Sequence, residues 1–146
     1  MIKILFSFVV SLFLLFPFFQ PNNASENILD QEVTLITTGD ILLGRTVNMH
    51  TVASQNFIYP FEKTAELLKS ADLTFVNLEG PLVYSCPLKN SGLIFCGDTK
   101  NVEGLKYAGV DIVNLANNHT VNFGKKGLDD TIQALKTTYN NLSVVI

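Results

Sequence analysis

The chain has 146 residues, 47% hydrophobic and 16% charged, with two Cys and no Trp; this allows one globular domain with enough apolar side chain for a core, and excludes disorder for most of its length. Ten Lys and Arg stand against thirteen Asp and Glu, a formal net charge of −3, and no basic block exceeds Lys125-Lys126. The electrostatic footprint of a nucleic-acid binder is therefore missing.

The mean hydropathy of +0.29 is concentrated at the N-terminus. Met1-Ile2-Lys3 is a minimal positive segment, and Ile4 to Phe19 is an apolar run broken by Ser7, Ser11 and Pro17 before Gln20-Pro21-Asn22-Asn23. In form this is an export signal. Its length falls between a cleaved apolar region and the roughly 20 residues that span a bilayer, so residues 1–24 read as a signal peptide or an N-terminal membrane anchor. Both place the chain outside the cytoplasm, with residues 25–32 as a linker and 33–146 as the folded part.

Val33 to Thr38 is β-branched and bounded by Gly39-Asp40, the pattern of a buried strand. Pro60 can open a helix with Phe61, Ala65 and Leu68 on one face. Leu73 to Leu78 predicts a second strand, ending in Glu79-Gly80-Pro81. Between Cys86 and Cys96 lie nine residues, Pro87, Asn90, Ser91 and Gly92 among them. In an oxidising compartment this spacing suits a local disulfide worth about 2 to 3 kcal/mol in the chain-entropy model; free buried thiols are a second reading, and a soft metal pair a third that the lack of a CxxC spacing or companion His weakens. Asp98 can cap a helix that buries Val102, Leu105 and Ala108 and stops at Gly109 in a left-handed conformation. Val110 to Ala116 predicts a third strand, with Asn117-Asn118-His119 at its exit. Gly124-Lys125-Lys126-Gly127 reads as a turn entering a third helix that carries Asp129 and Asp130 in its first turn and Leu128, Ile132, Leu135 and Tyr139 on one face. Leu142 to Ile146 starts a fourth strand. Alternation of this kind predicts an α/β fold, a layered β-α-β-α-β-α parallel sheet.

Ligands of a parallel α/β sheet bind outside the carboxyl ends of its strands. The three exits here supply Asp40, then Asn77 and Glu79, then Asn117, Asn118 and His119, a set of carboxylates, amides and an imidazole that suits a hard or borderline divalent cation. His50, standing alone after Met49, reads as a structural or exposed histidine.

Thr38-Gly39-Asp40-Ile41-Leu42-Leu43-Gly44-Arg45, Ala71-Asp72-Leu73 through Asn77-Leu78-Glu79, Ala108-Gly109-Val110-Asp111 through Leu115-Ala116-Asn117-Asn118-His119, and Gly124 through Gly127-Leu128 to Thr131 resemble, in order and spacing, the bacterial CapA family of capsule and poly-γ-glutamate synthesis proteins. The resemblance spans about Val33 to Leu135. It implies the N-terminal half of a calcineurin-like metallophosphoesterase domain, truncated here, in a secreted or membrane-anchored protein of the bacterial cell envelope. Carried over by position, Asp40, Glu79 and Asn118 would be ligands of a divalent metal (Mn, Zn, Fe or Mg), His119 a general acid or hydrogen-bond donor, and Arg45 and Asn77 contacts to substrate. The implied partners are an anionic polymer or its precursor, other capsule or polyglutamate synthesis proteins, and the membrane through the N-terminus. The implied activity is metal-dependent hydrolysis or group transfer, given further segments to complete the ligand set. A non-catalytic tethered binding module and an inactive fragment are the readings that compete. Two positions depart from the pattern: Asn122 stands where the family has Asp, and Leu42 where metallophosphoesterases have His.

Overall fold

The computed structural model describes residues 32–139 and 142–145, and the unit considered below is Val33–Ile146. The expected leader or anchor at residues 1–24 lies outside the described residues. Among those described, no helix is long and apolar enough to cross a membrane.

The elements run β1 Leu35–Ile41, α1 Arg45–Ser54, a 3-10 turn Tyr59–Phe61, α2 Ala65–Leu68, β2 Leu73–Leu78, β3 Leu82–Val83, β4 Gly97–Asp98, a 3-10 turn Thr99–Asn101, α3 Val102–Tyr107, β5 Ile112–Asn114, α4 Gly124–Thr138 and β6 Ser143–Val145. Four strands form a parallel sheet in the order β1-β2-β5-β6, and β3 and β4 make a separate parallel pair. The expected α/β architecture is what the chain adopts. Its sheet is parallel because each crossover carries helix or helical turn between strands.

The core lies on one face of that sheet. Val76, Leu78 and Val113 meet Ala65 and Leu68 of α2, Leu105 of α3, and Ala134 and Leu135 of α4 in one buried cluster. The opposite face carries Leu35, Leu73 and Val145, which are 58%, 41% and 45% exposed. In β1 the pairing with β2 slips between Thr37 and Asp40: Thr37 faces Phe75, whereas Asp40 faces Asn77. Thr38 and Gly39 thus oppose a single residue, a β-bulge.

Several local expectations need correction. Asp40 lies within β1 and not beyond its exit. Helix α1 covers a stretch in which no helix was expected, because its buried residues are the polar Asn48 and Thr51 and it has no apolar stripe. The segment after Pro60 does bury Phe61, Ala65 and Leu68, but as a 3-10 turn and one turn of α-helix. Helix α4 begins at Gly124, so Gly124-Lys125-Lys126-Gly127 is its first turn, and Asp129 and Asp130 sit one turn in. Each aspartate there takes a lysine four residues back, Lys125 to Asp129 and Lys126 to Asp130, both at 2.6 Å. Local ion pairing, not the helix dipole, places them. Asp98 accepts from the Lys100 backbone N–H at 2.9 Å and so caps the turn leading into α3. Gly109 closes that helix at φ +72°, as the left-handed stop requires.

Candidate functional site

The carboxyl ends of β1, β2 and β5 bring Asp40, Asn77 and Asn114 into register. Their side chains form a directed ladder. Asn114 Nδ2 donates to Asn77 Oδ1 at 2.8 Å, and Asn77 Nδ2 donates to Asp40 Oδ1 at 2.6 Å. Each amide dipole thus points its donor end at the carboxylate, an arrangement in which successive bonds polarise one another. Asn117 joins it by donating to Asn77 Oδ1 at 3.3 Å and to the Leu78 carbonyl at 2.9 Å. Of the two adjacent amides it is Asn117 that enters the network, while Asn118 is exposed.

Beyond β2 and β5 lies a second group. His119 donates its backbone N–H to Asn117 Oδ1 at 3.1 Å, which ties it to the ladder. Its Nε2 stands 3.6 Å from Glu79 Oε1, with both side chains largely shielded, 17% and 20% exposed. On the other side of the ring Asn122 Nδ2 meets His119 Nδ1 at 3.0 Å and also donates to the Leu93 carbonyl at 3.3 Å. The Leu93 contact assigns the amide orientation, since the reverse would set two oxygens together. Nδ1 is then the acceptor, and in the neutral ring the proton sits on Nε2, toward Glu79.

Phe95 packs on the imidazole with ring centroids 4.3 Å apart, and the Arg45 guanidinium lies 5.5 Å from the Phe95 ring. Sequence reasoning passed over Phe95 and Asn114, for which no motif carries a signal. Arg45 opens α1 at φ +54°, a conformation that costs a non-glycine residue about 1 kcal/mol or more. Gly44 permits this approach, because a Cβ there would lie 2.8 Å from the Cys96 carbonyl oxygen. Cys86 and Cys96 are joined in a disulfide with Cα atoms 5.9 Å apart. His50 stacks on Tyr59 at 4.0 Å, away from these groups.

A model of the bacterial capsule synthesis proteins, PGA_cap, matches residues 34–141. The chain belongs to this family. Among curated relatives of this PGA_cap chain, the capsule biosynthesis protein CapA of Bacillus anthracis is 34% identical over 113 residues, covering 73% of this chain and 27% of the relative. An uncharacterized protein of Sinorhizobium fredii (strain NBRC 101917 / NGR234), y4sH, is 28% identical over 120 residues, 77% of this chain and 24% of its own. The chain spans about a quarter of the length of these relatives.

A divalent cation suits the PGA_cap residues in kind but not in arrangement. Carboxylate and amide oxygens are the donors such an ion prefers. Asp40, however, is drawn into the amide ladder while Glu79 faces His119, and among the described residues no three His, Cys, Asp or Glu side chains converge on one point. The donors present do not close a metal site, and no chemical step below is routed through one.

Proposed function

We propose that this chain supplies the acid–base edge of an exported capsule-assembly protein that hydrolyses or transfers a phosphoryl or amide-linked group on an anionic polymer or its precursor. The observation that carries this reading is the shielded Glu79–His119 pair at the carboxyl edge of a parallel sheet, where such folds place their chemistry. His119 presents Nε2–H to the leaving or developing oxyanion, and a donor fixed in advance strengthens as charge gathers on that oxygen. Asn122 and Phe95 hold the ring, so no reorientation is needed at the moment of reaction. Arg45 receives an anionic group of the substrate, a task its planar guanidinium suits better than an ammonium would.

Turnover of p-nitrophenyl phosphate, bis-p-nitrophenyl phosphate and a γ-glutamyl anilide by the full chain tests the reading. His119→Gln and Glu79→Gln should each lower the rate on whichever substrate is turned over, His119→Gln by about 10²-fold or more, with the circular dichroism spectrum unchanged. Equal rates in wild type and His119→Gln would sink it. Unaltered capsule export by cells carrying His119→Gln would favour the tethered binding module instead.

A further inference from the structure

The Cys86–Cys96 loop does more than cross a surface. Between it, Arg45 and Phe123 lies a cavity of about 260 Å³, lined on the loop side by Pro87, Lys89, Ser91, Gly92, Leu93 and Ile94. That is just below the roughly 300 Å³ at which small-molecule pockets begin, room for one fragment and not a length of polymer.

Its charge is one-sided. Arg45 and Lys89 are the ionisable side chains in the lining, and no carboxylate joins them. Among the described residues neither takes part in an ion pair. Arg45 Nε is moreover buried without a hydrogen-bond partner, an arrangement that is costly for a charged group unless something answers it. The Arg45 backbone is held in the left-handed region at the same place, and strain of this kind concentrates at ligand sites. Apart from Ser91 and Gly92 the rest of the lining is apolar, and the neighbours Leu93 and Ile94 stand 77% and 70% exposed.

We propose that this cavity binds an amphipathic anion, a phosphate monoester or carboxylate taken by Arg45 and Lys89, with its apolar body laid against Leu93, Ile94 and Phe123. The inference rests on the reading of Arg45 as an anion contact and deepens it by naming the ligand's chemistry. The site communicates with the proposed reacting edge. One Asn122 amide holds both the Leu93 carbonyl of the loop and His119 Nδ1, so a ligand that settles the loop also settles the imidazole. The disulfide closes the wall: opening it returns to the loop the freedom that the crosslink removes.

Calorimetric and NMR titration of the oxidised full chain with hexyl phosphate, hexanoate, hexanol and inorganic phosphate tests the proposal. Hexyl phosphate or hexanoate should bind at least tenfold more tightly than hexanol or inorganic phosphate, and the better of the two names the anion. Arg45→Gln should weaken that binding about tenfold or more, and Lys89→Gln, on an exposed loop where folding is not at stake, several-fold. Cys86→Ser paired with Cys96→Ser should weaken it comparably. Hexanol binding as tightly as the anions, or Lys89→Gln and Arg45→Gln both binding as wild type, overturns the site. His119→Gln separates this from the proposed function: it should lower turnover by about 10²-fold or more yet leave hexyl phosphate binding within twofold, so each reading fails on its own readout.

Discussion

Replacing Asn48 with Ala should loosen the joint between the helix that carries Arg45 and the strand that follows Cys96. Asn48 is 1% exposed, and its Oδ1 accepts from the Asp98 backbone N–H at 2.7 Å and from Asn101 Nδ2 at 2.9 Å. Truncation removes the acceptor from both donors. Asn101 Nδ2 keeps the Asp98 carbonyl at 3.2 Å, so the heavier loss falls on the Asp98 N–H. A donor left unpaired away from water costs about 1 to 3 kcal/mol, and the second, partly compensated bond contributes about 1 kcal/mol. Asn48 Nδ2 is itself buried without a partner, so deleting it returns part of that sum. The net expectation is a loss of about 2 to 3 kcal/mol, a large share of the roughly 5 to 15 kcal/mol that holds a domain of this size. Urea unfolding of the full chain measures it, as a lower midpoint at unchanged slope. A loss below about 0.5 kcal/mol would refute the reasoning, because the two bonds would then be worth no more than solvation by water.

Thr131→Val should cost about 1 to 3 kcal/mol despite matching shape, since Thr131 Oγ1 accepts from the buried Leu82 N–H at 2.9 Å and an isopropyl group cannot; thermal unfolding reads this directly. Asn122→Asp should move the neutral-ring proton of His119 from Nε2 to Nδ1, because a carboxylate accepts where the amide donates; ¹⁵N chemical shifts of the imidazole distinguish the tautomers, and an unchanged pattern would count against the assigned amide orientation. The Thr34 backbone N–H and hydroxyl, both on Asp72 Oδ2 at 2.8 and 2.7 Å, hold the Asp72 carboxyl below its ordinary 3.8. A depressed folded value means that the stabilisation is present above that ordinary value and is lost as pH falls through the folded one. Asp72→Asn should therefore flatten the acid limb of stability below about pH 4, followed as urea midpoints across the acid range, and an acid limb identical to wild type would contradict it.

How far the amino-acid order discloses this molecule depends on which force sets each element. Leu73–Leu78 is legible at its true bounds because it is a short, mostly apolar run closed by Glu79-Gly80-Pro81, although Thr74 on its buried side and Phe75 on the other leave no period of two. The helix over Arg45–Ser54 is illegible, since what it buries is Asn48 and Thr51 and hydrogen bonding leaves no periodic trace. Asp40, Asn77, Glu79 and His119 are legible as a set because the edge of a parallel sheet collects strand-end side chains. Their division into an amide ladder and an imidazole–carboxylate pair is not, for it turns on side-chain directions that differ between the neighbours Asn117 and Asn118. Asn122 marks a departure in the sequence, yet only its contacts with Leu93 and His119 reveal what the change of residue does.

The bulge in β1 amounts to a change of phase. Side chains alternate along a strand, so Ile36, Thr38 and Asp40 would share one side if the strand were regular. The additional residue reverses the count: Ile41 turns inward against the core, and Asp40 emerges beside Asn77. Straightening the strand with every residue kept would send a carboxylate into apolar packing and an isoleucine into water, whereas loss of Thr38 or Gly39 would leave Asp40 opposite Asn77 and Ile41 opposite Leu78. The half of the strand that builds the interior and the half that bears reactive groups are thereby uncoupled, each free to be read in its own parity.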